Sequence, residues 1–197
     1  MKLPKRVSSG KYVDLNELVP EDVDIEDINN SLNYIYRFTG HHKDREPLTV
    51  AQHTKLVMNL CDILYPDDLV TKFDCLLHDM PEAFYGDIAT PLKRKFGDQY
   101  REYANLIDDV VYKKLWIINA EFNEDIYNRR KVCDGISLDI ERRIMWADQR
   151  GKDLWPDAPR FASIKEKETM FDEVANIRFI NLVDEYENLL GRIYNLK

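Results

Sequence analysis

Ile28, Leu32, Ile35 and Tyr36 recur every three to four residues and predict a first amphipathic helix that stops near Thr39-Gly40. After the polar loop GHHKDREP, Thr49 suits an N-cap, and Val50, His53, Val57, Leu60, Cys61 and Leu64 share one face of a second helix ended by Tyr65-Pro66. That register turns His53 inward. A third helix runs from Asp67 or Asp68 through Leu69, Val70, Phe73, Leu76 and Leu77 to His78-Asp79. Pro81 disfavours helical geometry at Met80 and suits the first turn of a new short helix holding Glu82 and Ala83.

Thr90-Pro91 reads as N-cap and first position of another short helix through Lys95. Residues 98–121 place Tyr103, Leu106, Ile107, Val110, Val111, Leu115 and Ile118 on one stripe of a longer helix. The next helix starts near Asn123, can break at Asp134-Gly135, and continues through Ile140, Ile144, Ala147 and Asp148; the last spans about Ile164 to Tyr194. No period-2 alternation or hairpin signal is present, so the expected fold is all-α, a compact helical bundle. Residues 1–25 carry two prolines, Ser-Ser-Gly and an acidic run, and read as an N-terminal arm ahead of a single helical domain over 26–197.

Composition narrows the function. The 197 residues are 44% hydrophobic and 32% charged, with 7 Gly and 8 Pro, which excludes collagen-like, low-complexity and wholly disordered chains. A net charge of −8 gives no field to attract a nucleic-acid polymer or an anionic membrane, while a small phosphorylated ligand needs only a few local cations. Cys61, Cys75 and Cys133 form no CxxC pair and leave one thiol over, as expected of a cytoplasmic protein. No stretch approaches 18 apolar residues, so neither export nor membrane insertion is expected.

Chemistry concentrates in the histidines. Of four, His53 and His78 lie on neighbouring apolar helices, and Asp79 follows His78 directly at a helix C-terminus, where the macrodipole favours a cation. Asp148, in the apolar stretch IMWADQR, must be paired or coordinated if it faces the core. Two imidazole nitrogens and two carboxylate oxygens suit a divalent transition ion, Mn, Fe, Co, Ni or Zn, and such an ion suits hydrolysis of a phosphate bond. His41-His42 point apart in a polar loop and read as surface or substrate-gate residues.

The segments YRFTGHHKDREPLTVAQHT, LLHDMPEAFYGDIATPLKR and WADQR, in that order, resemble the HD-domain phosphohydrolases, in particular the small all-helical 5'-deoxynucleotidases and the phage triphosphohydrolases of dATP. This resemblance covers roughly residues 26–155. It implies a homo-oligomer that hydrolyses a small-molecule 2'-deoxynucleotide, with His53, His78, Asp79 and Asp148 as metal ligands. It further implies that Glu82 orients or deprotonates the attacking water, that Asp87 is a second carboxylate near the scissile phosphate, and that Arg37 and Lys93 bind phosphate oxygens. Phe38 stands where several relatives carry tryptophan and can stack on a sugar or base. Two alternatives stay open: another HD phosphodiesterase acting on a cyclic or alarmone nucleotide, and a non-catalytic helical module that keeps a metal as structure.

Overall fold

The computed structural model describes residues 2–146 and 163–195. The architecture is helical, as the periodicity implies, with one small addition at the start. Strands β1 (Pro4–Arg6) and β2 (Tyr12–Asp14) pair antiparallel, Lys5 opposite Val13, through a turn that uses Gly10 at φ 90°. Three-residue strands are too short to show alternation, so the hairpin leaves no pattern to read. Far from a free arm, the segment adds Val13, Leu18 and Val23 to the core. Lys5 Nζ donates to the carbonyl oxygens of Ala83 and Phe84, both at 2.8 Å, fastening the hairpin beside the candidate site.

Helix α1 (Ile25–Leu32) is capped by Asp24 and ends about two turns before the expected stop at Thr39-Gly40. The chain then runs extended, with an isolated bridge between Tyr36 and Thr49, before a tight turn at Arg37–Gly40. Ile35 and Tyr36 thus belong to an extended segment whose short length mimics helical spacing. Helix α2 (Val50–Leu64) begins with a capping box between Thr49 and Gln52. It is the central rod of the bundle, apolar on most sides, packed against α3 (Leu69–Leu77) and α7 (Glu124–Trp146). The short helices α4 (Glu82–Tyr85) and α5 (Thr90–Phe96) follow, then α6 (Asp98–Leu115), which Trp116 ends six residues before the expected point. Ala89, not Thr90, occupies the cap of α5.

Helix α7 passes through Asp134-Gly135 without a break. A single interior glycine costs only about 1 kcal/mol relative to alanine, less than the burial of Ile136, Ile140 and Met145 on the same helix returns. The expected final helix is instead two, α8 (Ile164–Ala175) and α9 (Leu182–Asn195). The break between them is held by α1: Asn33 Nδ2 donates to Ile180 O at 2.9 Å, Ile180 N donates to Asn33 Oδ1 at 2.8 Å, and Leu182 N donates to Asn29 Oδ1 at 3.0 Å. Two buried asparagines therefore take the backbone groups that a continuous helix would have paired internally. Among the described residues, no helix is long and apolar enough to cross a membrane.

Candidate metal centre

Three of the four expected ligands meet where α2, the C-terminus of α3 and α7 converge. His53 is fully buried on α2, and His78 and Asp79 follow the last residue of α3. Asp79 Oδ2 lies 3.3 Å from His53 Nε2 and 3.2 Å from His78 Nε2. Asp148, the fourth, lies outside the described residues. The carboxylate that closes the group here is Asp134, whose Oδ1 is 3.5 Å from His53 Nε2. One ligand atom from each of His53, His78 and Asp134 lies within 4.8 Å of the others, so this group, with His53 buried and the other two half-buried, can hold a metal ion.

Hydrogen bonding to the far side of each ring fixes what the near side offers. His53 Nδ1 bonds Glu141 Oε1 at 2.6 Å, and His78 Nδ1 bonds the carbonyl oxygen of Cys75 at 2.7 Å. With Nδ1 donating there, Nε2 of both rings is left to face the centre, where it can hold a proton or offer its lone pair to a cation, and neither Nε2 has a hydrogen-bond partner among the described residues. Lone pairs of nitrogen and carboxylate oxygen thus face one another at 3.2–3.5 Å, an arrangement that only a proton or a cation between them makes favourable. The donor set therefore fits a divalent ion of the imidazole-and-carboxylate type.

The charges around it agree. Asp79, Glu82, Asp87, Asp134 and Glu141 outnumber the cationic Arg37 and Lys93. Burial and Arg37 oppose a proton on His53, yet Glu141, Asp134 and Asp79 outweigh them and hold its pKa well above the usual imidazole range. Burial likewise disfavours charge on Asp79 and Asp134, but the two histidines keep both well below the ordinary carboxylate range.

The remaining expected residues form a ring beside this cluster. Arg37 Nη1 stands 3.7 Å from Asp79 Oδ2 and 3.9 Å from Asp87 Oδ2, and its Nε donates to Glu141 Oε2 at 3.3 Å. Phe38 N donates to Asp87 Oδ2 at 3.2 Å, and the Phe38 ring meets Trp146 edge-on at 5.0 Å. Phe38 and Thr39 both sit at φ 56°, two successive non-glycine residues in the left-handed region, a strain that the bonds of Asp87 and Leu48 to this segment maintain. Lys93 Nζ lies 3.5 Å from Glu82 Oε1, while Glu82 Oε2 is buried with no hydrogen-bond partner among the described residues. Burial, with Asp79 and Asp87 nearby, pushes the Glu82 carboxyl well above its ordinary pKa despite Lys93 and Arg37. His41 and His42 are exposed.

Sequence reasoning missed two residues here, Asp134 and Glu141. With Ser137, whose hydroxyl donates to Glu141 Oε1 at 2.9 Å, they sit at i, i+3 and i+7 on α7, which puts all three on one face. That spacing was the available signal, obscured by the expected break at Asp134-Gly135.

No family model matches the chain. The uncharacterized protein YfdR of Escherichia coli K12 is 34% identical over 148 residues, which is 75% of this chain and 74% of that protein. An uncharacterized protein of Rhodobacter capsulatus is 30% identical over 138 residues, 70% of each chain. At that identity and coverage, the protein that carries this buried histidine and carboxylate cluster belongs to the same family as YfdR.

Proposed function

We propose that the protein is a metal-dependent phosphohydrolase of 2'-deoxynucleotides. The observation that carries this reading is the pair of imidazole Nε2 atoms aimed at Asp79 and Asp134, next to a buried glutamate and two cationic side chains. The resemblance of the HDMPE and GDIATPLK segments to HD-domain phosphohydrolases supports it and supplies the substrate class. His53, His78 and Asp134, with Asp79 against both rings, would hold the ion. Once bound, a divalent ion of the Mn, Fe, Co, Ni or Zn class supplies Lewis acidity, lowering the pKa of water and neutralising charge on a phosphoryl oxygen.

The chain's own groups do the rest. Glu82 is suited to take a proton from the attacking water at Oε2, because burial and its neighbours already raise its proton affinity. Arg37, held by Glu141, Asp79 and Asp87, and Lys93, beside Glu82, supply fixed positive charge to the phosphate. Glu141 orients the His53 ring through Nδ1.

The test is product analysis on dAMP, dATP and the other deoxynucleotides with metal-stripped and reconstituted protein. Phosphate or triphosphate release that returns with the metal and disappears in Glu82→Gln, at unchanged metal content, is the expected result. Turnover of none of these nucleotides would favour a metal-stabilised module, and turnover confined to cyclic or alarmone nucleotides would favour another phosphodiesterase.

A further inference from the structure

A cavity of about 680 Å³ opens between α6 and α7 and reaches His78, and apart from His78 none of its walls has a part in the phosphate chemistry above. Its size falls in the range of small-molecule sites. The walls are aromatic. Tyr112 and Trp116 lie with rings nearly parallel at 6.3 Å, and Phe122 meets Trp116 at a right angle at 5.6 Å. Tyr127 forms a further wall and carries the Arg130 guanidinium at 4.8 Å from its ring centre. Phe122 and Tyr127 remain 45% and 41% exposed, large apolar faces turned to an open cavity instead of the core.

Charged groups line the cavity too: Lys113, Arg130, whose Nε is committed to Asp74 Oδ2 at 3.0 Å, and two acids. Asp108 and Asp109, adjacent on α6, line the cavity with carboxylates, and Tyr85 already donates to Asp108 Oδ1 at 3.0 Å, leaving the other oxygen to accept. Stacking faces beside carboxylate acceptors suit a flat heterocycle that carries an amino group. His78, one of the candidate metal ligands, is itself a wall of this cavity and so joins it to the cluster. We propose that this cavity seats the nucleobase of the substrate, and that Asp108 and Asp109 favour an amino-bearing base over thymine or uracil. The inference rests on the deoxynucleotide reading for its substrate class, but its geometry is independent of turnover.

Calorimetric titration with deoxyadenosine and thymidine, neither of which has a phosphate, separates the two claims. Deoxyadenosine should bind the parent more tightly than thymidine, and Phe122→Ala should weaken it about tenfold or more, the range for a base stacked on one aromatic ring. Tyr127→Ala, checked like Phe122→Ala for native circular dichroism, provides a second variant, and Asp108→Asn with Asp109→Asn should erase the preference over thymidine. No binding of either nucleoside to the parent, or unchanged affinity in both aromatic variants, overturns the inference. Binding as expected without hydrolysis of any nucleotide would leave the base site standing and remove the hydrolase reading. Hydrolysis of dAMP with both aromatic variants at parental affinity would do the reverse.

Discussion

Replacing Glu141 with Gln probes the part of the centre that positions a ligand without touching an ion. Glu141 is fully buried; its Oε1 accepts from His53 Nδ1 at 2.6 Å and Ser137 Oγ at 2.9 Å, and its Oε2 accepts from Arg37 Nε at 3.3 Å. A glutamine that keeps its oxygen on His53 and Ser137 must turn its amide NH₂ toward the Arg37 guanidinium, donor against donor. The loss of one hydrogen bond to a charged group, about 1.5–3 kcal/mol, then falls on a site where Arg37 stays buried with one carboxylate fewer. Full truncation to alanine should cost about 3–5 kcal/mol, the usual consequence of removing one partner from a buried charge pair. Because Glu141 also sets the ring orientation and basicity of His53, metal affinity should fall about 10- to 100-fold in Glu141→Gln. Urea unfolding of metal-free protein gives the stability change, and competition with a chromogenic chelator gives the affinity. A stability loss under about 1 kcal/mol together with metal affinity within twofold of the parent would refute the positioning role.

Other consequences are equally specific. Burial pushes the Asp108 carboxyl up to about 6, so folding favours its protonated form; its contribution is complete below the unfolded value of about 3.9 and is lost as pH rises through 6. Asp108→Asn should therefore gain thermal stability over the parent at pH 7.5 relative to pH 4, and a constant difference across that window would contradict the assignment. Asp139, 1% exposed, accepts from Arg143 and from the buried Lys167 of α8, so Asp139→Ala should cost about 3–5 kcal/mol in chemical unfolding by stranding the Lys167 ammonium. Thr39→Gly should raise stability by about 1 kcal/mol, since the exposed, β-branched Thr39 is held at φ 56°; a lower melting temperature would show that the strain lies elsewhere. A saturating divalent ion at about 100 times its Kd should add about 2.7 kcal/mol to unfolding, reversed by chelator.

Much of this was legible because α2 and α3 are dense in apolar residues between clear caps, and His53 and His78-Asp79 occupy defined points of them. Helix ends were harder. Ile35 and Tyr36 continue the spacing of α1 by coincidence of an extended segment, and the gap between α8 and α9 is made by Asn29 and Asn33, more than 140 positions away, which no local window contains. The carboxylate of α7 shows the same limit. Asp134 sits beside Gly135, a helix-breaking signal that burial of the rest of α7 overrides, and its polar face with Ser137 and Glu141 is recognisable only once the helix is continuous. The hairpin ahead of α1 escaped because its strands have three residues each and its hold on α4 comes from a single lysine.

The account turns on whether His53, His78 and Asp134 hold one divalent ion together. Cobalt titration of metal-stripped protein, read by visible absorption and by metal content after gel filtration, is the direct measurement. One tightly held equivalent per chain in the parent, lost from both His53→Ala and Asp134→Asn while each keeps its helical circular dichroism, is the predicted result; parental cobalt binding in Asp134→Asn would contradict it.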